Sequence, residues 1–162
     1  MTRFIAIDPS STVTGWAVFQ DQGLVAWGKI ETKAVEYSYQ FQFIINELGH
    51  LVRMYHFQEV VIEDVKTAWH GKYRQRNIAA LQIVFTSIRK WTEARKIPLA
   101  SYNPATWKNA VVGDVHASKE ATKTNIGYRF PRVPDDLSDH EYDAIAIGVY
   151  HGGVRFLDGL AK

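Results

Sequence analysis

The chain contains no cysteine in 162 residues, which excludes disulfides, thiolate metal sites and cysteine nucleophiles together. That absence fits a reducing compartment. No stretch approaches the roughly 18 apolar residues a membrane span requires, so no membrane segment is expected. Met1-Thr2-Arg3 runs straight into Phe4-Ile5-Ala6-Ile7 and meets Asp8 too soon for a signal peptide. Net charge is also scarce, at +2, so any nucleic-acid surface must come from clustering of charge rather than from its total. Internal repeats, low-complexity tracts and linker-like stretches are missing too. A soluble protein is expected, in the cytoplasm of a bacterial or phage-infected cell or in an organelle.

What is present is material for one core. With 46% hydrophobic and 22% charged residues, the chain reads as a single domain over residues 1–162. Phe4 to Ile7 reads as a buried strand closed by the turn Asp8-Pro9-Ser10-Ser11. Gly15 to Gln20 and Leu24 to Glu31 follow as strands about the turn Asp21-Gln22-Gly23, completing a meander. Phe41, Ile44, Ile45, Leu48, Leu51, Val52 and Tyr55 recur at helical spacing. Glu59 to Glu63 is a short apolar strand with acids at its ends, and Asp64 to Asn77 a polar loop. A long helix is predicted over Ile78–Arg95, a strand over Ile97–Tyr102, and helices near Ala105–Val112, Ser118–Tyr128 and Ser138–Phe156. Strands alternating with crossover helices imply an α/β fold, a mixed five-stranded sheet covered on both faces. Three of its strands are antiparallel and the next two parallel.

Acids stand at informative places in this order. Asp8 follows the first apolar strand and Glu63 ends the fourth, so one sheet edge can receive both. Asp139-His140-Glu141-Tyr142-Asp143 opens the last helix, where His140 and Asp143, at i and i+3, share a face. Such acids also serve as caps and dipole partners, a role open to Asp139. Gathered without basic partners, however, three acids repel one another unless something positive lies between them. A hard divalent cation such as Mg²⁺ meets that need while keeping water and phosphate in its shell. Two such ions about 4 Å apart can activate a water and stabilise the leaving 3′ oxygen of a phosphodiester.

Four segments resemble the RuvC Holliday-junction resolvases, nucleases of the ribonuclease-H-like superfamily. Phe4-Ile5-Ala6-Ile7-Asp8-Pro9-Ser10-Ser11-Thr12-Val13-Thr14-Gly15-Trp16-Ala17-Val18 is similar to the family's opening motif, and Val61-Ile62-Glu63-Asp64-Val65 to its second acidic strand. Trp107-Lys108-Asn109-Ala110-Val111-Val112-Gly113, with Ser118-Lys119, resembles its late lysine motif. His140-Glu141-Tyr142-Asp143-Ala144-Ile145-Ala146-Ile147 resembles its last acidic helix. The resemblance implies that Asp8, Glu63 and Asp143 ligate Mg²⁺ or Mn²⁺, with His140 a further ligand or proton handler. It implies that Lys108 and Lys119 contact the scissile phosphate. It further implies a homodimer that binds four-way DNA junctions and nicks two opposing strands symmetrically. Two positions depart from the pattern. Ser10 stands where the family usually has glycine, and Lys66 where relatives insert an aromatic at the junction centre.

Lys66, Trp69, Lys72, Tyr73, Arg74 and Arg76 interleave cations with flat rings directly after Glu63. Cations neutralise phosphates, and exposed rings stack on unpaired bases for roughly 1–3 kcal/mol each. A DNA-binding loop is expected here, with Trp69 or Tyr73 supplying the wedge that Lys66 cannot. Trp91, Trp107 and most of the histidines are expected in the core. The two predicted long helices, one rich in aromatics, are candidate dimer faces.

Overall fold

The computed structural model describes residues 2–65 and 75–161, with side chains after the break described from residue 78. Five strands form one sheet: β1 (Arg3–Asp8), β2 (Val13–Gln20), β3 (Gly23–Glu31), β4 (Glu59–Glu63) and β5 (Leu99–Tyr102). Its order is β3-β2-β1-β4-β5, antiparallel from β3 to β1 and parallel from β1 to β5. A 3-10 turn (Tyr37–Tyr39) and α1 (Gln40–Tyr55) link β3 to β4, and α2 (Gln75–Arg95) precedes β5. The chain closes with α3 (Pro104–Val112), α4 (Lys119–Arg129) and α5 (Asp139–Leu160). The expected mixed sheet is therefore observed, in the expected order.

Several boundaries differ from expectation: β2 begins at Val13 rather than Gly15 and α5 runs to Leu160 rather than Phe156, and two further shifts have a plain local cause. The last strand begins at Leu99 rather than Ile97, because the Ile97 amide turns back to Thr92 (3.0 Å) and Pro98 has no amide to donate. The second helix begins at Gln75, three residues early; Gln75-Arg76-Asn77 contains no glycine or proline to stop it.

Side chains alternate across each strand, and this divides the core in two. Ile5, Ile7, Val18, Val60 and Ile62 face α1 and α2, meeting Ile44, Leu48, Val84, Ile88 and Trp91. Phe4, Ala6, Ala17, Phe19 and Val61 face the other way, toward Trp107, Ile126, Ala144, Ile145 and Ile147 of α3, α4 and α5. By the same alternation, Asp8 follows Ala6 and Glu63 follows Val61 onto the α5 side. Ile7 is paired with Ile62 in the parallel ladder, so the two acids are the next residues on neighbouring strands.

α5 lies close against β2 and β1. A Cβ on Gly148 would overlap the Phe19 ring, so only glycine admits the contact. Farther along, the His151 ring lies edge-on to Phe4, 4.7 Å between centroids, and its Nδ1 is 2.8 Å from the Tyr102 hydroxyl. Its Nε2 is 3.3 Å from Glu59, which also pairs with Arg155. Most histidines do not belong to the core as expected. His50, His56 and His116 are exposed, and His151 is the buried one among the described residues. His56 shows why: it caps α1 in a left-handed conformation (φ 53°), at a helix end that faces water.

Candidate active site

Two strand ends and the first turn of α5 define the site. Ser138 caps α5 through a capping box: its side chain accepts from the Glu141 amide, and the Glu141 carboxylate accepts from the Ser138 amide at 2.9 Å. Ser138, not Asp139, is thus the cap, and Asp139 is left to pair with Lys119. The first turn is seated on β2 at Gly15, the residue opposite Asp8 in the ladder. A Cβ at Gly15 would overlap the His140 carbonyl and stand 2.8 Å from the Glu141 nitrogen. Because Gly15 has no Cβ, the helix start descends onto the strand and carries His140 to Asp8. The His140 Nδ1–H donates to Asp8 Oδ2 at 2.6 Å.

Glu63 is held from another direction. Asn103 caps α3, its side chain accepting from the Ala105 amide at 2.8 Å, with Pro104 at the first helical position. One turn on, the fully buried Trp107 donates its indole N–H to Glu63 Oε2 at 2.9 Å. The next residue, Lys108, places its ammonium 5.3 Å from the centre of the Trp107 ring. Asp8, Glu63, Asp143, His140, Lys108 and Lys119, all six singled out from sequence, line one cavity of about 490 Å³. Ser10, Ser11 and Thr12 form another wall of it. The turn after Asp8 closes without a glycine. The Ser10 amide donates to the Thr14 hydroxyl at 3.2 Å, that hydroxyl donates to the Ser10 carbonyl at 2.7 Å, and Ser10 has no positive φ.

Lys66, Trp69, Lys72, Tyr73 and Arg74, and the side chain of Arg76, lie outside the described residues. Sequence reasoning placed Trp107 in the core, correctly, but missed its bond to Glu63. The available signal was that a buried indole N–H requires an acceptor. It also missed Gly15, for which a strand glycine marking close backbone approach was the cue.

The acids are strained electrostatically. Burial, with Asp8 next to it, pushes the Glu63 carboxyl up to about 8 against the partial relief of the Trp107 bond. Burial and the Asp8 charge likewise push Asp143 up to about 7, with Lys108 and His140 opposing. The hydrogen bond to Asp8 raises His140 above its ordinary value, despite burial. As placed, no three His, Asp or Glu side chains among the described residues converge tightly enough to hold one ion. Asp8 is drawn to His140 and Glu63 to Trp107, and like charges oppose closer approach. The donor chemistry nonetheless fits a hard divalent cation: carboxylate oxygens, one imidazole, no thiolate.

These shifts predict a pH dependence. A raised carboxyl binds its proton more tightly when folded, so ionising it costs stability progressively from about 4.5 to about 8 for Glu63 and from about 3.8 to about 7 for Asp143. The stability His140 contributes is full below 6.5 and is also lost as pH rises through its raised value. In EDTA, the melting temperature should fall between pH 5 and pH 8. Added Mg²⁺ should restore it by more degrees at pH 8 than at pH 5, because cation and protons compete for the same oxygens. Equal stabilisation at both pH values in thermal melts would show that the cation binds elsewhere.

Among the described residues, no helix is long and apolar enough to cross a membrane. The chain resembles solved resolvases in fold. A Thermus thermophilus RuvC in complex with Holliday junction substrate superposes with a TM-score of 0.81 at 20% identity, covering 98% of this chain and 97% of that one. The yeast mitochondrial Holliday junction resolvase Ydc2 gives 0.58 at 12% identity, covering 97% of this chain and 82% of that one. In sequence, the crossover junction endodeoxyribonuclease RuvC of Nitratidesulfovibrio vulgaris is 29% identical over 161 residues, 97% of this chain and 94% of that protein. The RuvC of Oleidesulfovibrio alaskensis is 27% identical over 168 aligned residues, covering 97% and 94%. The family model described as crossover junction endodeoxyribonuclease RuvC matches residues 4–151, all but the two ends, and the chain belongs to that family.

Proposed function

We propose that this protein is a structure-selective endonuclease that resolves four-way DNA junctions by hydrolysing phosphodiesters. The observation that carries this reading is the single cavity in which Asp8, Glu63 and Asp143 face Lys108 and Lys119. Asp8, Glu63 and Asp143, joined by His140, would hold Mg²⁺ or Mn²⁺, and a pair of such ions supplies the Lewis acidity that phosphodiester hydrolysis requires. In the cation's absence, His140 keeps the Asp8 charge partly neutralised through Nδ1. Lys108, steadied on the Trp107 ring, bonds a phosphate oxygen and offsets charge that builds there. Lys119 exchanges its Asp139 partner for phosphate when DNA enters. The alternative role for His140, on the first turn of α5, is to handle a proton beside the reacting phosphate instead of binding the ion.

The substrate has twofold symmetry, so a C₂ dimer with two equivalent sites matches it. Exposed apolar side chains support α1 and α2 as its contact face: Phe43 and Met54 on α1 are 37% and 65% exposed, and Ile83 on α2 is 45% exposed. Branched DNA is recognised by shape and backbone, the loop with Lys66, Trp69, Lys72, Tyr73, Arg74 and Arg76 supplying phosphate and base contacts. Such a substrate implies a cytoplasmic protein.

The test compares synthetic four-way, three-way and linear DNAs with Mg²⁺, Mn²⁺ or EDTA. Four-way junctions should be cut at two opposing strands with either ion, and bound but left intact in EDTA. Cleavage of linear duplex at an equal rate would overturn junction selectivity. Replacing Lys72, Arg74 and Arg76 together with alanine should flatten the dependence of log affinity on log salt by about 2 to 3, at roughly 0.9 per phosphate contact. An unchanged slope would remove this loop from the DNA interface.

A further inference from the structure

The two walls of the cavity meet on one side chain. Trp107 is fully buried, so no water competes for its indole N–H, and indole nitrogen can only donate. That N–H is spent on Glu63 Oε2, 2.9 Å away. The face of the same ring carries the Lys108 ammonium, 5.3 Å from its centroid. The Glu63 carboxylate and the Lys108 ammonium feel each other's charge yet form no ion pair, and each is held against a different part of the Trp107 ring.

We propose that Trp107 is a positioning residue that presents Glu63 to a divalent cation and Lys108 to phosphate as two separate groups. The proposal rests on the ligand role assigned to Glu63 above. By occupying Oε2, the indole fixes the carboxylate plane and leaves Oε1 for the cation. By stacking on the ring, the lysine is kept from collapsing onto Glu63 as an ion pair. Such collapse would take the acid and the base out of service together. Trp107 has this reach because α3 begins directly after β5: Tyr102 is the ladder partner of Glu63, and Asn103 caps the helix.

Two substitutions separate the edge of the ring from its face. Trp107→Phe keeps an aromatic face and removes the N–H; Trp107→Leu removes both. Partners behind metal ligands are typically worth roughly 10–100-fold in affinity. Calorimetric titration with Mn²⁺ should therefore show Trp107→Phe binding at least tenfold more weakly than wild type. Its cleavage should approach the wild-type rate at saturating Mn²⁺, whereas Trp107→Leu should stay slow at any Mn²⁺ concentration. Wild-type Mn²⁺ affinity in Trp107→Phe would overturn the proposal. An independent reading uses Glu63→Gln, which leaves the tryptophan in place. In ¹⁵N–¹H spectra of the indole groups, one of the five signals should move when the carboxylate becomes an amide, and the same signal should move when Mg²⁺ is added to wild type. If no indole signal responds to Glu63→Gln, the bond to Trp107 is not formed in solution and the proposal falls. If instead Glu63→Gln binds Mn²⁺ as wild type does, it is the ligand role of Glu63 that fails.

Discussion

Glu63→Gln and Asp143→Asn should each lower Mg²⁺-dependent cleavage of a four-way junction by at least a thousandfold and, in EDTA at pH 8, melt at a higher temperature than wild type. The two effects share one cause. Burial and the neighbouring Asp8 push these carboxyls up to about 8 and about 7, so the folded protein bears the cost of ionising them. An amide of the same shape removes the charge and its penalty, and at Glu63 it still offers an oxygen to the Trp107 N–H. Since one pKa unit corresponds to about 1.4 kcal/mol, and partial exposure reduces what is realised, a gain of about 1–2 kcal/mol is expected for each. For a domain of this size that is several degrees. The same amide is a poor cation ligand, so Mg²⁺ should stabilise wild type and leave the variants nearly unmoved. Asp8→Asn should abolish cleavage as well. Junction binding, which rests on phosphate contacts, should survive in all three. A variant that cuts at a near-normal rate would remove that residue from the ligand set; one that loses both stability and binding would point to a folding defect.

The second large effect is expected from Gly15→Ala. The added methyl would overlap the His140 carbonyl and press on the Glu141 nitrogen, which are main-chain atoms unable to rotate aside. Either β2 bends, or the start of α5 lifts. Overpacking of this kind costs about 1–3 kcal/mol. The catalytic cost should exceed the structural one, because a lifted α5 carries His140 and Asp143 away from Asp8 together, and a displacement of about 1 Å can lower rates roughly a hundredfold. Cleavage should fall by that factor or more while the far-ultraviolet circular dichroism remains that of wild type. Gly148→Ala offers the comparison. Its methyl meets the Phe19 ring, a side chain, so stability should drop with less loss of rate. Equal loss of rate in the two would mean that α5 responds as a whole.

The elements were legible because their signals are local. Five apolar strands and the helical periodicity of α1 and α5 are written in runs of neighbouring residues, and acids at strand ends are visible as soon as the strands are. His140 stood out by its spacing to Asp143, whereas Lys108 and Lys119 read as solvated lysines until resemblance assigned them a role. What stayed hidden depends on distances across the fold. The Trp107–Glu63 bond joins residues 44 apart and the His140–Asp8 bond residues 132 apart, and neither produces a pattern in a window of sequence. The pairing of Lys119 with Asp139 was hidden for the same reason. The histidines misled because a histidine is as much at home at a helix end in water, like His56, as in a core, like His151.

α5 and β1 are joined at two places, not one: His151 against Phe4 at one end, His140 against Asp8 at the other. The helical side of this frame spans about 16 Å at 1.5 Å per residue. The strand side spans about 13 Å at 3.3 Å per residue. Two stiff rails of nearly equal length, cross-braced at both ends, resist shear and cannot open like a jaw. Asp8 and the first turn of α5 therefore behave as one rigid edge of the site. A scissile phosphate has to be brought to that edge rather than met by it, so ease of bending at a branch point, rather than separation of α5 from β1, is expected to sort good substrates from poor ones.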